Sequence, residues 1–411
     1  MTEIGHIITY TALFIALFFE VFLLVSFLER RLGKTAYMPK SAKEFDLPRV
    51  AIVVPCFNEE QTIASTLTSL LSLSYPHDKL EILVIDDGST DRTTEIARQY
   101  VSDSRVRIYR KENGGKYTAM NLALEKTDAE LIGCLDADSV VEASALAVLA
   151  RAFENKDVAA ITPGIHVREP GTLIQHMQNA EYRLSVFSRF IFSALGSAFI
   201  TPGPFSIFRT SVVRRLGGWR HGHSTEDMEM ALRIQAAGYL IGNAPSASVH
   251  TTTPHTLKAL FRQRVRWAYG FLRNAVDYRS MFMNRAYGNL GMIILPAALI
   301  SIAVALFFFA RILWYGAHTI AQTYARTQIM GVSFTPSFDA FYINTSATLF
   351  LIYVSILIIV VLISVGSLIS TDRRLPPTGT PLFIIFYGFL VPLWFATAAV
   401  RAFFKTGVRW K

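Results

Sequence analysis

The sequence predicts an α/β domain built on a mainly parallel sheet and joined to an α-helical transmembrane region. Three observations predict it. The 411 residues are 52% hydrophobic and only 17% charged, with a mean hydropathy of +0.35, too apolar for a soluble domain of this length. The most apolar stretches are long and lie toward the two ends of the chain. Between them, short β-branched runs alternate with helical patterns, as in repeated strand–helix–strand units.

The first long run spans Ile7 to Leu28 and has the roughly 20 residues that a membrane-crossing helix needs. No small-residue cleavage site follows it, so residues 1–30 read as a retained anchor. Arg30, Arg31 and Lys34 come next, whereas the leading tail carries no lysine or arginine. That bias places the following domain in the cytosol, and the chain is expected to be a multi-pass protein of the plasma (inner) membrane. Glu20 lies inside the span, where a carboxylate is either functional or hydrogen-bonded to another helix; the second is expected here.

Composition turns globular between about Asp46 and Asn284, with a domain over 46–255 and an interface segment over 256–285. Lipid character returns over 290–405, in candidate spans Met292 to Leu313, Ala347 to Ile369 and Leu382 to Val400. A polar stretch from Ser333 to Asn344 and a loop with Asp372, Arg373 and Arg374 separate them. One span before the domain and three after it leave the C-terminus outside, against the charge rule applied to Arg401, Lys405, Arg409 and Lys411. Either one segment is re-entrant, with Pro392 pointing to the last span, or the number of spans is not four.

Lysine plus arginine number 40 against 31 acids, a net charge of +9. The balance suits an anionic membrane surface or a phosphate-bearing substrate, and no nucleic-acid partner is expected. Disordered, collagen-like and disulfide-scaffold chains are excluded by composition. Cys56 and Cys134 both lie in apolar runs and read as reduced core residues, not as a redox or zinc pair.

Within the domain, Arg49 to Pro55 is a continuous β-branched run of the kind buried on both faces of a parallel sheet. A helix is expected from Gln61 to Leu73, a strand from Glu81 to Ile85 and a helix from Thr93 to Tyr100. A strand from Val106 to Tyr109, a helix from Thr118 to Leu124 and a strand from Leu131 to Leu135 complete the series. Ligands of such sheets bind at the carboxyl ends of the strands. No phosphate loop or dinucleotide glycine fingerprint is present; carboxylates end the strands instead.

Asp86-Asp87-Gly88 follows the second strand, and a turn with a helix cap is an equal reading of it. The fourth strand ends in Asp136-Ala137-Asp138. Carboxylates at i and i+2 on extended backbone point the same way, which suits one Mg²⁺ or Mn²⁺ that also holds diphosphate oxygens. Ser224-Thr225-Glu226-Asp227 opens a helical stretch that runs to Gly238. Its spacing matches a capping box, while Asp227 is also placed to deprotonate an attacking hydroxyl.

From Leu257 to Asn274 the pattern is a basic amphipathic helix, with Gln263, Arg266 and Trp267 at i, i+3 and i+4 on one face. Lys258, Arg262, Arg264 and Arg273 are expected to meet anionic headgroups, which need only their charge. Arg266 offers a planar fork for a diphosphate, and Trp267 a flat face for a sugar.

In this order, Asp86-Asp87-Gly88, Asp136-Ala137-Asp138, Thr225-Glu226-Asp227 and Gln263-Arg264-Val265-Arg266-Trp267 resemble the D, D, D, QxxRW pattern of membrane-embedded family 2 glycosyltransferases. That group includes the cellulose, chitin, hyaluronan and poly-N-acetylglucosamine synthases, and the likeness covers about residues 48 to 275. It implies a GT-A, nucleotide-sugar-binding catalytic domain, inverting β-transfer from a UDP-sugar, and a divalent cofactor, Mg²⁺ or Mn²⁺. By position it implies that Asp87, with Asp86 beside it, contacts uracil, that Asp136 serves the ribose or diphosphate, and that Asp138 is the metal ligand. Asp227 would be the general base, and Gln263, Arg266 and Trp267 would hold diphosphate and acceptor. Lys116, in Asn113-Gly114-Gly115-Lys116, is similar to the family's nucleotide-proximal lysine, although a lysine after a glycine turn is an equal reading.

The resemblance implies a processive synthase that polymerises UDP-N-acetylglucosamine or UDP-glucose and passes the glycan across the membrane, in contact with membrane lipids. Synthases that extrude a polymer usually carry more than four spans, which keeps an alternative open: transfer of one or a few sugars to a lipid acceptor, as ceramide glucosyltransferases do. A nonenzymatic scaffold would not account for four intact motifs.

Overall fold

A computed structural model describes residues 3–32, 46–330, 346–371 and 375–405. Lys34, the stretch from Ser333 to Asn344, the loop Asp372 to Arg374, Arg409 and Lys411 lie outside the described residues. The chain runs α1 (Glu3–Leu32), β1 (Val50–Cys56), α2 (Ile63–Leu71), β2 (Leu80–Asp86), α3 (Thr93–Arg98), β3 (Val106–Arg110), α4 (Lys116–Lys126) and β4 (Leu131–Cys134). It continues through β5 (Ser139–Val141), α5 (Ala145–Arg151), β6 (Val158–Val167), α6 (Leu173–Ala194), β7 (Ile207–Arg209), α7 (Thr210–Arg215), α8 (Glu226–Ala236) and β8 (Leu240–Thr251). Four helices close it: α9 (Leu257–Asp277), α10 (Leu295–Met330), α11 (Ala347–Thr371) and α12 (Thr380–Phe403).

The eight strands form one sheet in the order β3-β2-β1-β4-β7-β6-β8-β5. Strands β1 to β4 are mutually parallel, as their β-branched runs predict. Beyond β4 the sheet is mixed: β7 pairs antiparallel with β4 and β6, β5 pairs antiparallel with β8, and β6 and β8 are parallel.

Because side chains alternate across a strand, the apolar run of β1 feeds two cores. Val50, Ile52 and Val54 pack with Leu67 and Leu70 of α2 and Leu146 and Leu149 of α5. Ala51 and Val53 face the other way, toward Ala119 and Met120 of α4, Val213 of α7 and Ile234 of α8. Cys56 and Cys134 are buried free thiols, each belonging to one of these cores.

Among the described residues, four helical segments are long and apolar enough to cross a membrane: Ile7–Arg30, Leu290–Ile329, Ala347–Thr371 and Thr380–Phe403. Helix α12 runs unbroken through Pro392, which removes the ground for reading it as re-entrant. Glu20 accepts hydrogen bonds from the Ser355 hydroxyl of α11 at 2.8 and 2.9 Å, the partner across helices that its position called for. Helix α6 joins the sheet to this apolar layer. Its Phe187 and Ile191 pack against Leu23 and Phe27 of α1 and Leu362 of α11. A Cβ at Gly366 of α11 would collide with the Arg183 carbonyl of α6, so the two backbones need glycine to meet there.

Candidate active site

The chain moves outward from β1 to β2 to β3, then returns to set β4 on the opposite side of β1. Loops at the carboxyl ends of β1 and β4 therefore part at a topological switch point and leave a crevice. Both acidic motifs of the parallel half open onto this edge, since β2 ends at Asp86 and β4 ends two residues before Asp136.

Asp86 is fully buried. Its Oδ1 accepts from the Ser89 amide at 2.9 Å and its Oδ2 from the Thr94 hydroxyl, so it braces its own loop. Asp87 accepts from Lys111 Nζ at 2.5 Å and from the Gly114 and Gly115 amides at 3.0 and 2.8 Å. It thereby fixes the glycine turn, in which Gly115 takes a φ of +90° that suits only glycine. Lys116 follows as the first residue of α4 and ion-pairs with Asp136.

Burial opposes the charge of Lys116, but Asp136 and Glu226 outweigh it and hold the pKa well above the usual lysine value. A Cβ at Gly203 would collide with Lys116 Nζ and lie 2.9 Å from Asp136 Oδ2, so the chain between α6 and β7 closes directly over this pair. Asp138 Oδ1 accepts from the Ser139 hydroxyl at 3.0 Å. Burial, then the charge of Asp136, raises the Asp138 pKa to about 6.

The 222–227 loop approaches from the other side. His223 and Ser224 adopt φ of +54° and +65°, conformations that cost L-residues roughly 1–2 kcal/mol each. The capping box is not formed: Thr225 is the N-cap of α8, makes no side-chain cap bond, and donates its hydroxyl to the Gly222 carbonyl at 2.8 Å. Asp227 is thus free of that duty, and among the described residues its Oδ1 accepts only from the adjacent Met228 amide at 2.9 Å. Burial, then Glu226, raises its pKa to about 6, with Lys116 and Arg266 opposing. The ammonium of Lys116 pairs directly with Asp136 and counters part of the upward shift of Asp138 and Asp227.

Helix α9 is fastened to the same loop. Arg266 Nη1 donates to the Ser224 carbonyl at 3.0 Å, and Asn274 Nδ2 to the Gly222 carbonyl and the Thr225 hydroxyl. Gly270 faces Thr225 so closely that a Cβ would collide with it. Trp267 keeps 37% of its surface exposed. The expectation for Arg264 is overturned. With Leu260 and Ala268 it forms an i, i+4, i+8 stripe, and that stripe faces inward; its side chain is 4% exposed and its guanidinium pairs with Glu181 at 2.5 Å. Arg273 is half-buried, while Lys258 and Arg262 are exposed as expected.

Three site residues escaped sequence reasoning: Gly203, Glu181 and Tyr387. Pro202-Gly203-Pro204 was a legible turn signal. Glu181 and Tyr387 carry none, since their partners lie 83 and 206 residues away in the chain.

The family model described as glycosyltransferase like family 2 matches residues 48–270. The chain is 31% identical over 224 residues to the poly-beta-1,6-N-acetyl-D-glucosamine synthase of Staphylococcus epidermidis, covering 54% of each protein. Against the Staphylococcus aureus (strain COL) protein of the same name the figures are 31% over 228 residues and 55% of each. The chain thus spans about half the length of the curated relatives it matches. Among solved structures, a mannosyltransferase from Pyrobaculum calidifontis in complex with GDP-Man and Mn²⁺ superposes with a TM-score of 0.65 at 20% identity, covering 97% of this chain and 98% of that one. The likeness is one of fold.

Proposed function

The chain belongs to glycosyltransferase family 2, and from that membership we propose that it is an inverting hexosyltransferase that polymerises N-acetylglucosamine from UDP-N-acetylglucosamine at the membrane. The observation that carries the reading is the Lys116–Asp136 pair at the carboxyl edge of the sheet, two residues from Asp138 and packed under Gly203, whose own segment bonds the Asp227 carbonyl through the Thr201 hydroxyl at 2.7 Å. The choice of sugar rests on the relatives' names, and the choice of UDP on the resemblance of the motifs.

Asp138 fits a divalent metal. It offers a hard carboxylate whose Oδ2 has no protein donor among the described residues, and burial, then the charge of Asp136, raises its pKa. No group of three or more His, Cys, Asp or Glu poised to hold a metal occurs among the described residues. A donor set this small suits Mg²⁺ or Mn²⁺, which bind through one or two carboxylates plus substrate phosphates. When bound, the ion supplies charge to stabilise the departing diphosphate.

The chain's own groups do the rest. Asp87 holds the glycine turn beside the nucleotide, with Asp86 bracing it from behind. Lys116 and Arg266 offer cations to the diphosphate. Asp227 takes the proton of the acceptor hydroxyl as that oxygen attacks the anomeric carbon, and its elevated pKa makes it a stronger base than an ordinary aspartate. Gln263 and Trp267 receive the acceptor sugar. Passage of the product outward through the apolar helices completes the proposal.

The test is to incubate the purified full-length protein with a panel of UDP-sugars and divalent ions and to size the product. Polymer made from UDP-N-acetylglucosamine supports the reading. An organic-extractable glycolipid carrying one or a few sugars would replace it with transfer to lipid.

A further inference from the structure

Arg264 makes three contacts at once. Its Nη2 donates to Glu181 Oε2 at 2.5 Å, its Nη1 donates to Gln263 Oε1 at 2.8 Å, and its Cζ lies 4.2 Å from the centre of the Trp267 ring. Glu181 Oε2 also accepts from the Tyr387 hydroxyl at 2.7 Å. Glu181 belongs to α6 and Tyr387 to α12, one of the four membrane-length helices. Tyr387 is itself held in an aromatic ladder, 4.6 Å from Phe383 and 5.5 Å from Trp394 between ring centres. The faces of α9 and α12 meet around it through Val265, Ala268 and Tyr269.

An ion pair that merely fastened α6 to α9 would need only a charge at position 264, and lysine would serve. The observed contacts ask for more. One planar guanidinium grips the Gln263 amide and covers one face of the Trp267 indole, which orients both side chains and leaves part of the indole open. Glu181 aims that guanidinium, and Tyr387 aims Glu181.

We infer that Arg264, Glu181 and Tyr387 are positioning residues that hold Gln263 and Trp267 in place for the acceptor sugar, and that the membrane helix α12 is thereby part of the acceptor site's mounting. The inference rests on the reading of Trp267 as an acceptor contact. It gives α12 a role in acceptor binding in addition to any role in crossing the bilayer.

The test uses the full-length protein with UDP-N-acetylglucosamine as donor and a soluble N-acetylglucosamine oligosaccharide as acceptor. Transfer and donor hydrolysis are measured separately in Trp267→Ala, Arg264→Lys and Tyr387→Phe. Lysine keeps the pair with Glu181 but has no planar face, and phenylalanine removes one hydroxyl, so both variants are expected to fold. The acceptor KM should rise roughly tenfold in each, the size of effect expected for a lost hydrogen bond to a charged group. In Arg264→Lys and Tyr387→Phe the donor KM and the hydrolysis rate should stay at wild-type values. If Trp267→Ala raises the acceptor KM while Arg264→Lys and Tyr387→Phe do not, the inference falls and the acceptor reading of Trp267 stands. If Trp267→Ala leaves the acceptor KM unchanged, that reading fails and takes the inference with it. A parallel loss of transfer, hydrolysis and thermal stability in Arg264→Lys and Tyr387→Phe would mark the network as a structural fastening and overturn the inference.

Discussion

Replacing Asp227 with asparagine should abolish most turnover and at the same time stabilise the protein. Asparagine has the same shape, caps helices about as well as aspartate, and keeps an Oδ1 to accept from the Met228 amide. What it removes is charge. Burial and Glu226 raise the Asp227 pKa from 3.8 to about 6, so the folded protein holds that proton more tightly than the unfolded chain does. Folding stability therefore falls as pH rises from about 4 to about 6, and the full cost persists above that range. A shift of about two units corresponds to about 3 kcal/mol. Because the side chain keeps some solvent contact, screening reduces this to about 1–2 kcal/mol. At pH 7.5 the variant should accordingly melt several degrees higher, at roughly 2–4 °C per kcal/mol. Transfer should fall by roughly 10²–10⁴-fold, as on loss of a general base, with UDP binding retained. In the wild type, transfer should rise with pH through about 6 as the carboxylate ionises. Detergent-solubilised protein suffices for the melts, and UDP release for the rates. Normal turnover in Asp227→Asn, or a flat wild-type rate from pH 5 to pH 7, would show that Asp227 is not the base.

Asp138→Asn should remove metal-dependent turnover and weaken UDP-sugar binding, because an amide lacks the charge to hold a divalent ion against diphosphate; an unaltered metal titration would show the motif to be a turn. Arg266→Lys should lose activity while the protein still inserts in the membrane, since one ammonium cannot hold the Ser224 carbonyl and also present a fork to diphosphate; wild-type rates would count against that role. Gly203→Ala should displace Lys116 from Asp136 and lower kcat by about 10²-fold, the loss that a misplacement of about 1 Å can cause; an unchanged kcat would show that Lys116 is not needed where it sits.

The parallel half of the sheet was legible because β1, β2 and β4 are buried on both faces and so read as unbroken apolar runs. Strand β8 was not, since Gly242, Asn243, Pro245 and Ser248 interrupt it, and tertiary pairing with β6 decides its conformation. The acidic motifs were readable from spacing and context. Their division of labour was not: nothing in Asp86-Asp87 foretells that the first acid is buried beneath its own loop and the second locks a turn 27 residues away. Arg264 was misread because charge along an amphipathic helix indicates a solvated face until a partner is known, and that partner lies on α6.

The proposed reaction is a single displacement, in which the Asp227-activated acceptor attacks the anomeric carbon of a UDP-sugar. Proton NMR of the glycan made by the full-length protein from UDP-N-acetylglucosamine, whose own linkage is α, reads that step directly through the anomeric coupling. Inversion predicts β-linked residues throughout. α-Linked product would require a covalent or front-face route and would contradict the role assigned to Asp227.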